Sequence, residues 1–171
     1  MDKRIPIPPI LRDRPLLGGL VVPYNTGVRD GVYEFATVDK ARQLECLLTG
    51  RCQVCGKGLN AIAAFIISSE HVTITGDRVT ASTGQAGLHP ECVPYSVTAC
   101  PMLSRTSRKY RDADPSTEIW IDADAYTVHG ETDELPYAVI DARVLKVRPV
   151  AEHPALRRGQ QGQKPGEAGG K

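Results

Sequence analysis

Two pairs of soft metal donors, each with two residues between its members, constrain this chain more than any other feature. They are Cys52-Gln-Val-Cys55, followed by Gly56, and His89-Pro-Glu-Cys92. A C-x-x-C run closed by glycine makes a tight turn with both sulfurs on one side, and H-x-x-C does the same in the first turn of a helix. Together they supply a Cys₃His tetrahedral shell. Four protein donors leave no open position for water, which marks a structural site and not a catalytic one. The expected cofactor is therefore structural Zn²⁺ held by Cys52, Cys55, His89 and Cys92. A redox dithiol would explain the first pair alone and leave the second without a reason.

The stretch between the pairs reads as strands. Ala61-Ile-Ala-Ala-Phe-Ile-Ile67 is a short apolar run, and Val72–Thr75 and Arg78–Ala81 flank Gly76-Asp77, a two-residue hairpin turn signal. Pro90 suits the opening of a helix, where its missing N–H is not needed. That helix should end near Cys100, because Pro101 disfavours helix in the residue before it. The order of knuckle, hairpin and helix resembles a treble-clef zinc finger, with a finger core over residues 51–103. Cys100 is an alternative metal ligand, but it stands eight residues beyond Cys92. On a continuous helix that is roughly 12 Å along the axis, too far for both to hold one ion.

With 171 residues the chain fits one domain and can bury a core. Only two Phe and one Trp are available, so that core must be aliphatic. The formal net charge of +1 gives no global reason to bind nucleic acid or membranes. Five Cys gathered mostly around the metal motif do not look like a disulfide framework, and the amino terminus lacks a secretory apolar core. The expected location is the cytoplasm. No apolar run reaches the length of a transmembrane helix.

In chain order, residues 1–15 form a Pro-rich arm, Ile5-Pro-Ile-Pro-Pro-Ile10, expected to be extended and unable to form helix. A single α+β zinc-binding domain follows over 16–150. Leu16–Val22 reads as one short strand, Pro23–Gly27 as a loop and Val32–Phe35 as a second strand. Thr37 to Leu48 reads as a helix with Thr37 or Asp39 at its cap, Gly50 as its stop, and Ala41, Leu44, Leu47 and Leu48 as the apolar stripe. Cys46 on it reads as a small buried residue.

Beyond the finger, Ser104–Arg111 carries Arg105, Arg108, Lys109 and Arg111 beside Tyr110, a pattern able to lie along phosphates and equally able to be a solvated connector. A strand region over 117–148 includes Glu118–Asp122, Tyr126–His129 and Tyr137–Asp141, with Val144–Val147 as further sheet or a short closing helix. Asp122, Asp124, Asp133 and Glu134 do not have calcium-loop spacing and read as turn residues. The Gly/Gln-rich tail, 151–171, should be disordered.

The combination of Cys52-x-Val54-Cys55-Gly56, Ala63–Ile67, His89-x-Glu91-Cys92, Ala99-Cys-Pro-Met-Leu103 and Ile119-Trp120 resembles a widespread group of small, uncharacterised bacterial and phage proteins. The resemblance spans most of residues 5 to 150. It implies a common zinc-bearing fold with Cys52, Cys55, His89 and Cys92 as ligands, makes Cys100 a recurrent feature, and implies no established activity. The chain departs from that group in its hairpin, at Ser69-Glu-His71 and Gly76-Asp77.

Three function classes follow. The first is a zinc-stabilised binding module whose partner is nucleic acid or protein. The second is a metal-dependent nuclease of the ββα type on a treble-clef frame, which needs His71 as general base and a second metal site. The third is a redox or haem-responsive protein using Cys46, the knuckle, and Cys100 in its Cys-Pro dipeptide. No phosphate-binding Gly loop or nucleophile elbow is visible.

Overall fold

The computed structural model describes residues 5–59, 62–104, 119–123, 126–129, 137–143 and 146–149. The chain is α+β, with two helices and several small antiparallel sheets. The apolar run before the hairpin explains the architecture. Ala63–Ser68 forms a strand, β5, buried on both faces. Ala63, Phe65 and Ile67 point into one core, while Ile66 packs into a second core and Ala64 is bridged to Leu88 on that side. A strand with two buried faces needs apolar residues at every position, which is why this run does not alternate.

The first core lies between two sheets. One has the order β5-β10-β9, with β10 at Tyr137–Ala142 and β9 at Tyr126–His129. The other has the order β11-β8-β7-β6, with β11 at Lys146–Pro149, β8 at Ile119–Ala123, β7 at Arg78–Thr83 and β6 at Val72–Thr75. Val79 and Ala81 of β7, Ile121 and Ala123 of β8, and Ala138, Ile140 and Ala142 of β10 meet the inner residues of β5 there. The β6–β7 hairpin turns on Gly76-Asp77 as expected, with Gly76 at φ 59°. Its inner strand β7 then pairs with β8 and β5 pairs with β10, so the strands between the two donor pairs share their sheets with the carboxy-terminal strands. Residues 146–149 are a strand and not a closing helix.

Several amino-terminal expectations are corrected. Leu16–Val22 is two short strands, β1 (Leu16–Leu17) and β2 (Leu20–Val21), folded back on each other at Gly18-Gly19, both of which have positive φ. A further hairpin pairs β3 (Thr26–Arg29) with β4 (Val32–Val38), so the expected loop ends in strand. The arm carries a 3₁₀ turn at Pro9–Leu11; Pro9 opens it, where a missing donor does no harm.

Helix α1 spans Lys40–Thr49, with Asp39 as its cap, accepting from the Arg42 amide at 3.1 Å, and Gly50 as its left-handed stop. Its buried residues are Gln43, Cys46 and Leu47, whereas Leu44 and Leu48 are 47% and 71% exposed. Of the expected stripe only Leu47 is buried; Ala41, Leu44 and Leu48 are exposed, and the buried face is rotated toward Gln43 and Cys46. A polar contact turns the helix: Gln43 accepts from the Asn25 side-chain amide and donates to the Gly84 carbonyl. Buried amides must be satisfied, and this pairing outweighs the burial of two leucines. Among the described residues no helix is long and apolar enough to cross a membrane.

Candidate metal centre

The knuckle forms because its backbone closes on itself. Arg51 bridges Gly58, the Cys52 amide donates to the Lys57 carbonyl at 2.9 Å, and the Gly56 amide donates to the Cys52 carbonyl at 2.8 Å. Gly56 sits at φ 78°, and a Cβ there would lie 2.6 Å from the Tyr24 ring. Both the turn and the packing therefore require glycine. The ring itself is flanked by Arg14 and Arg42, 5.6 and 5.4 Å from its centroid, and its hydroxyl donates to Glu45 at 2.8 Å.

The second pair is delivered by β5. Ala64 and Leu88 exchange two backbone hydrogen bonds of 2.8 Å, which places His89 beside the knuckle. Pro90–Cys92 then makes a 3₁₀ turn, and α2 (Val93–Ala99) continues to an extended Cys100 before Pro101. Asn25 adds a tie that sequence reasoning missed, donating to Gln53 inside the knuckle at 3.2 Å as well as to Gln43 on α1. No local pattern signals it, because Asn25 stands 18 residues from Gln43 and 28 from Gln53.

The ligand atoms of Cys52, Cys55, His89 and Cys92 all lie within 4.8 Å of one another, and all four residues are buried. Cys52 and Cys92 sulfurs are 3.9 Å apart, and Cys55 Sγ is 3.3 Å from His89 Nδ1. A tetrahedral ion such as zinc, with metal–sulfur bonds of about 2.3 Å, sets its sulfurs about 3.8 Å apart, so these residues fit one. The other imidazole nitrogen, Nε2, donates to the Gly58 carbonyl at 3.0 Å. That bond fixes the tautomer and leaves Nδ1 free to ligate.

Backbone amides also serve the sulfurs. The His89 N–H donates to Cys52 and the Lys57 N–H to Cys55, each at 3.5 Å. Hydrogen bonds from Cys55 and then Cys92 hold the Cys52 thiol well below its ordinary range, and the same contacts push Cys55 and Cys92 up, Cys52 being the largest cause for both.

The remaining sequence candidates are placed elsewhere. Cys100 is outside this group, half-buried at the end of α2. Cys46 is buried in the two-sheet core, where burial first, and Glu45 second, push its thiol up to about 11. His71 is largely exposed on a 3₁₀ turn, 3.7 Å from Glu70. Asp122 lies in β8, and Asp124, Asp133, Glu134 and the basic Arg105, Arg108, Lys109 and Arg111 lie outside the described residues, as does the tail. Comparison of the chain with protein families, curated proteins and solved structures finds no match.

Proposed function

We propose that this chain is a zinc-stabilised binding module of treble-clef-like design, akin to the bacterial and phage group its motifs resemble, and that its partner is nucleic acid or protein. The observation that carries this reading is the closed, buried Cys₃His set, whose four ligand atoms lie within 4.8 Å of one another. Zinc held by Cys52, Cys55, His89 and Cys92 would supply charge neutralisation and cross-linking of the knuckle to the turn that opens into α2. Its chemistry here is structural, because four protein donors fill a tetrahedral shell.

No observation favours the alternatives. The nuclease reading needs a base beside a second metal site, yet His71 is largely exposed, and among the described residues the Cys/His set is the one group of three or more donors close enough to share an ion. The redox reading needs a thiol that is both accessible and acidic; Cys46 is buried with its pKa raised, and Cys52, whose pKa is lowered, is fully buried.

Binding of the zinc-loaded chain to mixed single- and double-stranded oligonucleotides, measured across a salt series, tests the partner class. Affinity that falls with salt and is lost when Arg105, Arg108, Lys109 and Arg111 are changed together to Gln supports nucleic acid. Absence of binding at low salt rejects nucleic acid and leaves protein.

A further inference from the structure

The candidate metal centre is covered by chain that the rest of the molecule holds only through side chains. Leu11 is fully buried in the same core as Cys52, Cys55 and Cys92, and Ile5, Ile7 and Ile10 pack against that core. The turn at Pro9–Leu11 rests on the turn at Pro90–Cys92, which bears the second pair's cysteine. Among the described residues, the backbone bonds of residues 5–13 stay local: Leu11 to Pro8, Arg12 to Pro9, and Arg14 to Leu11. Pro6, Pro8 and Pro9 have no amide hydrogen to donate. The first ties to the body come afterwards, from Arg14 Nε to the Val22 carbonyl at 3.1 Å and from the Val22 amide to the Pro15 carbonyl at 2.8 Å. One ion pair, Lys57 with Asp13 at 3.8 Å, is well exposed, and pairs of that kind hold little.

We propose that residues 5–13 are a latch over the metal centre, and that metal enters and leaves when this latch lifts while the two-sheet core stays folded. The proposal rests on the reading of Cys52, Cys55, His89 and Cys92 as a metal site. Its physical basis is that lifting residues 5–13 breaks apolar contacts and no backbone hydrogen bond to the body. An opening of that kind is local and less costly than global unfolding. The hinge is set by the Arg14 and Pro15 bonds to Val22, which remain made.

The test is transfer of zinc from the loaded full-length chain to a chromogenic chelator, pyridylazoresorcinol, in increasing excess. One zinc per chain before mixing is the separate check on the metal site itself; without it, that reading fails and not the latch. The latch predicts a transfer rate that reaches a plateau as chelator rises, because opening becomes limiting. Leu11→Ala should raise the plateau about tenfold or more, since it removes a fully buried side chain from the closed state. Val79→Ala, which opens a comparable gap in the two-sheet core, should leave the plateau unchanged. If Leu11→Ala does not fold, Ile10→Ala at the rim of the same contact reads the same effect. A rate that stays proportional to chelator throughout, or equal acceleration by Leu11→Ala and Val79→Ala, overturns the latch.

Discussion

The two cores on either side of β5 are held by different physics. The two-sheet core gathers its buried residues from α1, β5, β7, β8 and β10 and from Ala86 in the loop after β7, and apart from Cys46 and Phe65 those buried residues are aliphatic. It is closed by strand pairing between residues distant in sequence, such as Ile140 with Phe65 and Ile121 with Ala81. The metal-side core has fewer buried members, Leu11, Val21, Cys52, Val54, Cys55, Leu88, Cys92 and Tyr95, and three of these are candidate ligands. Its non-local hydrogen bonds are isolated ties and not strand ladders: the Val21 amide donates to the Tyr95 hydroxyl at 2.8 Å, the Tyr24 amide to the Val54 carbonyl at 2.9 Å and the Gln53 amide to the Gly87 carbonyl at 3.2 Å. A core this thin, with so much of its interior made of thiols, would gain its cohesion from an ion held by Cys52, Cys55, His89 and Cys92, whereas the two-sheet core has no such ligand set among the described residues.

The largest way to break that comparison is to remove the ion. Chelation should abolish hydrogen-exchange protection in the knuckle, the arm and α2, a loss of several kcal/mol on the scale of structural zinc sites, while β5, β7 and β10 keep theirs. Uniform loss across both cores would mean that they do not fold independently. Next in size is Ile140→Ala, which leaves a cavity in the two-sheet core and should cost about 2–5 kcal/mol in denaturant melts without changing metal content. Loss of metal in that variant would tie the cores more closely than their packing suggests.

A smaller effect comes from Cys46, whose thiol is pushed from 9.0 up to about 11. Above pH 9 the unfolded chain loses this proton while the folded chain keeps it. Its contribution to stability is therefore full below pH 9 and falls away as the pH rises to about 11, by up to about 2 kcal/mol. Cys46→Ala should flatten that part of the pH profile measured by urea melts; an unchanged slope would assign it to other groups. Smallest of all, Leu48→Ser should change stability by no more than about 0.5 kcal/mol, while Leu47→Ala on the buried face costs about 2 kcal/mol or more. Equal costs for the two would restore the stripe read from sequence, which held both leucines.

What could be read from the sequence was local. The donor pairs, the Gly76-Asp77 turn, the Asp39 and Gly50 helix limits and the stop before Pro101 each depend on residues a few positions apart, where backbone geometry decides. The side of α1 that is buried was not legible, because it depends on Asn25 and Gly84, far from Gln43 in sequence. Nor was the double burial of β5, whose partners Tyr137–Ala142 and Leu88 are non-local. The arm read as extended because three prolines dominate its pattern, and Leu11 beneath it is recognisable only once Cys92 is placed alongside.

The most direct measurement is the metal content of the purified full-length chain by elemental mass spectrometry, repeated on Cys52→Ser and Cys100→Ser. One zinc per chain, lost in Cys52→Ser and retained in Cys100→Ser, is the result expected from a site built by Cys52, Cys55, His89 and Cys92. No bound metal in the unaltered chain, or zinc that survives loss of Cys52 and disappears with Cys100, would contradict it.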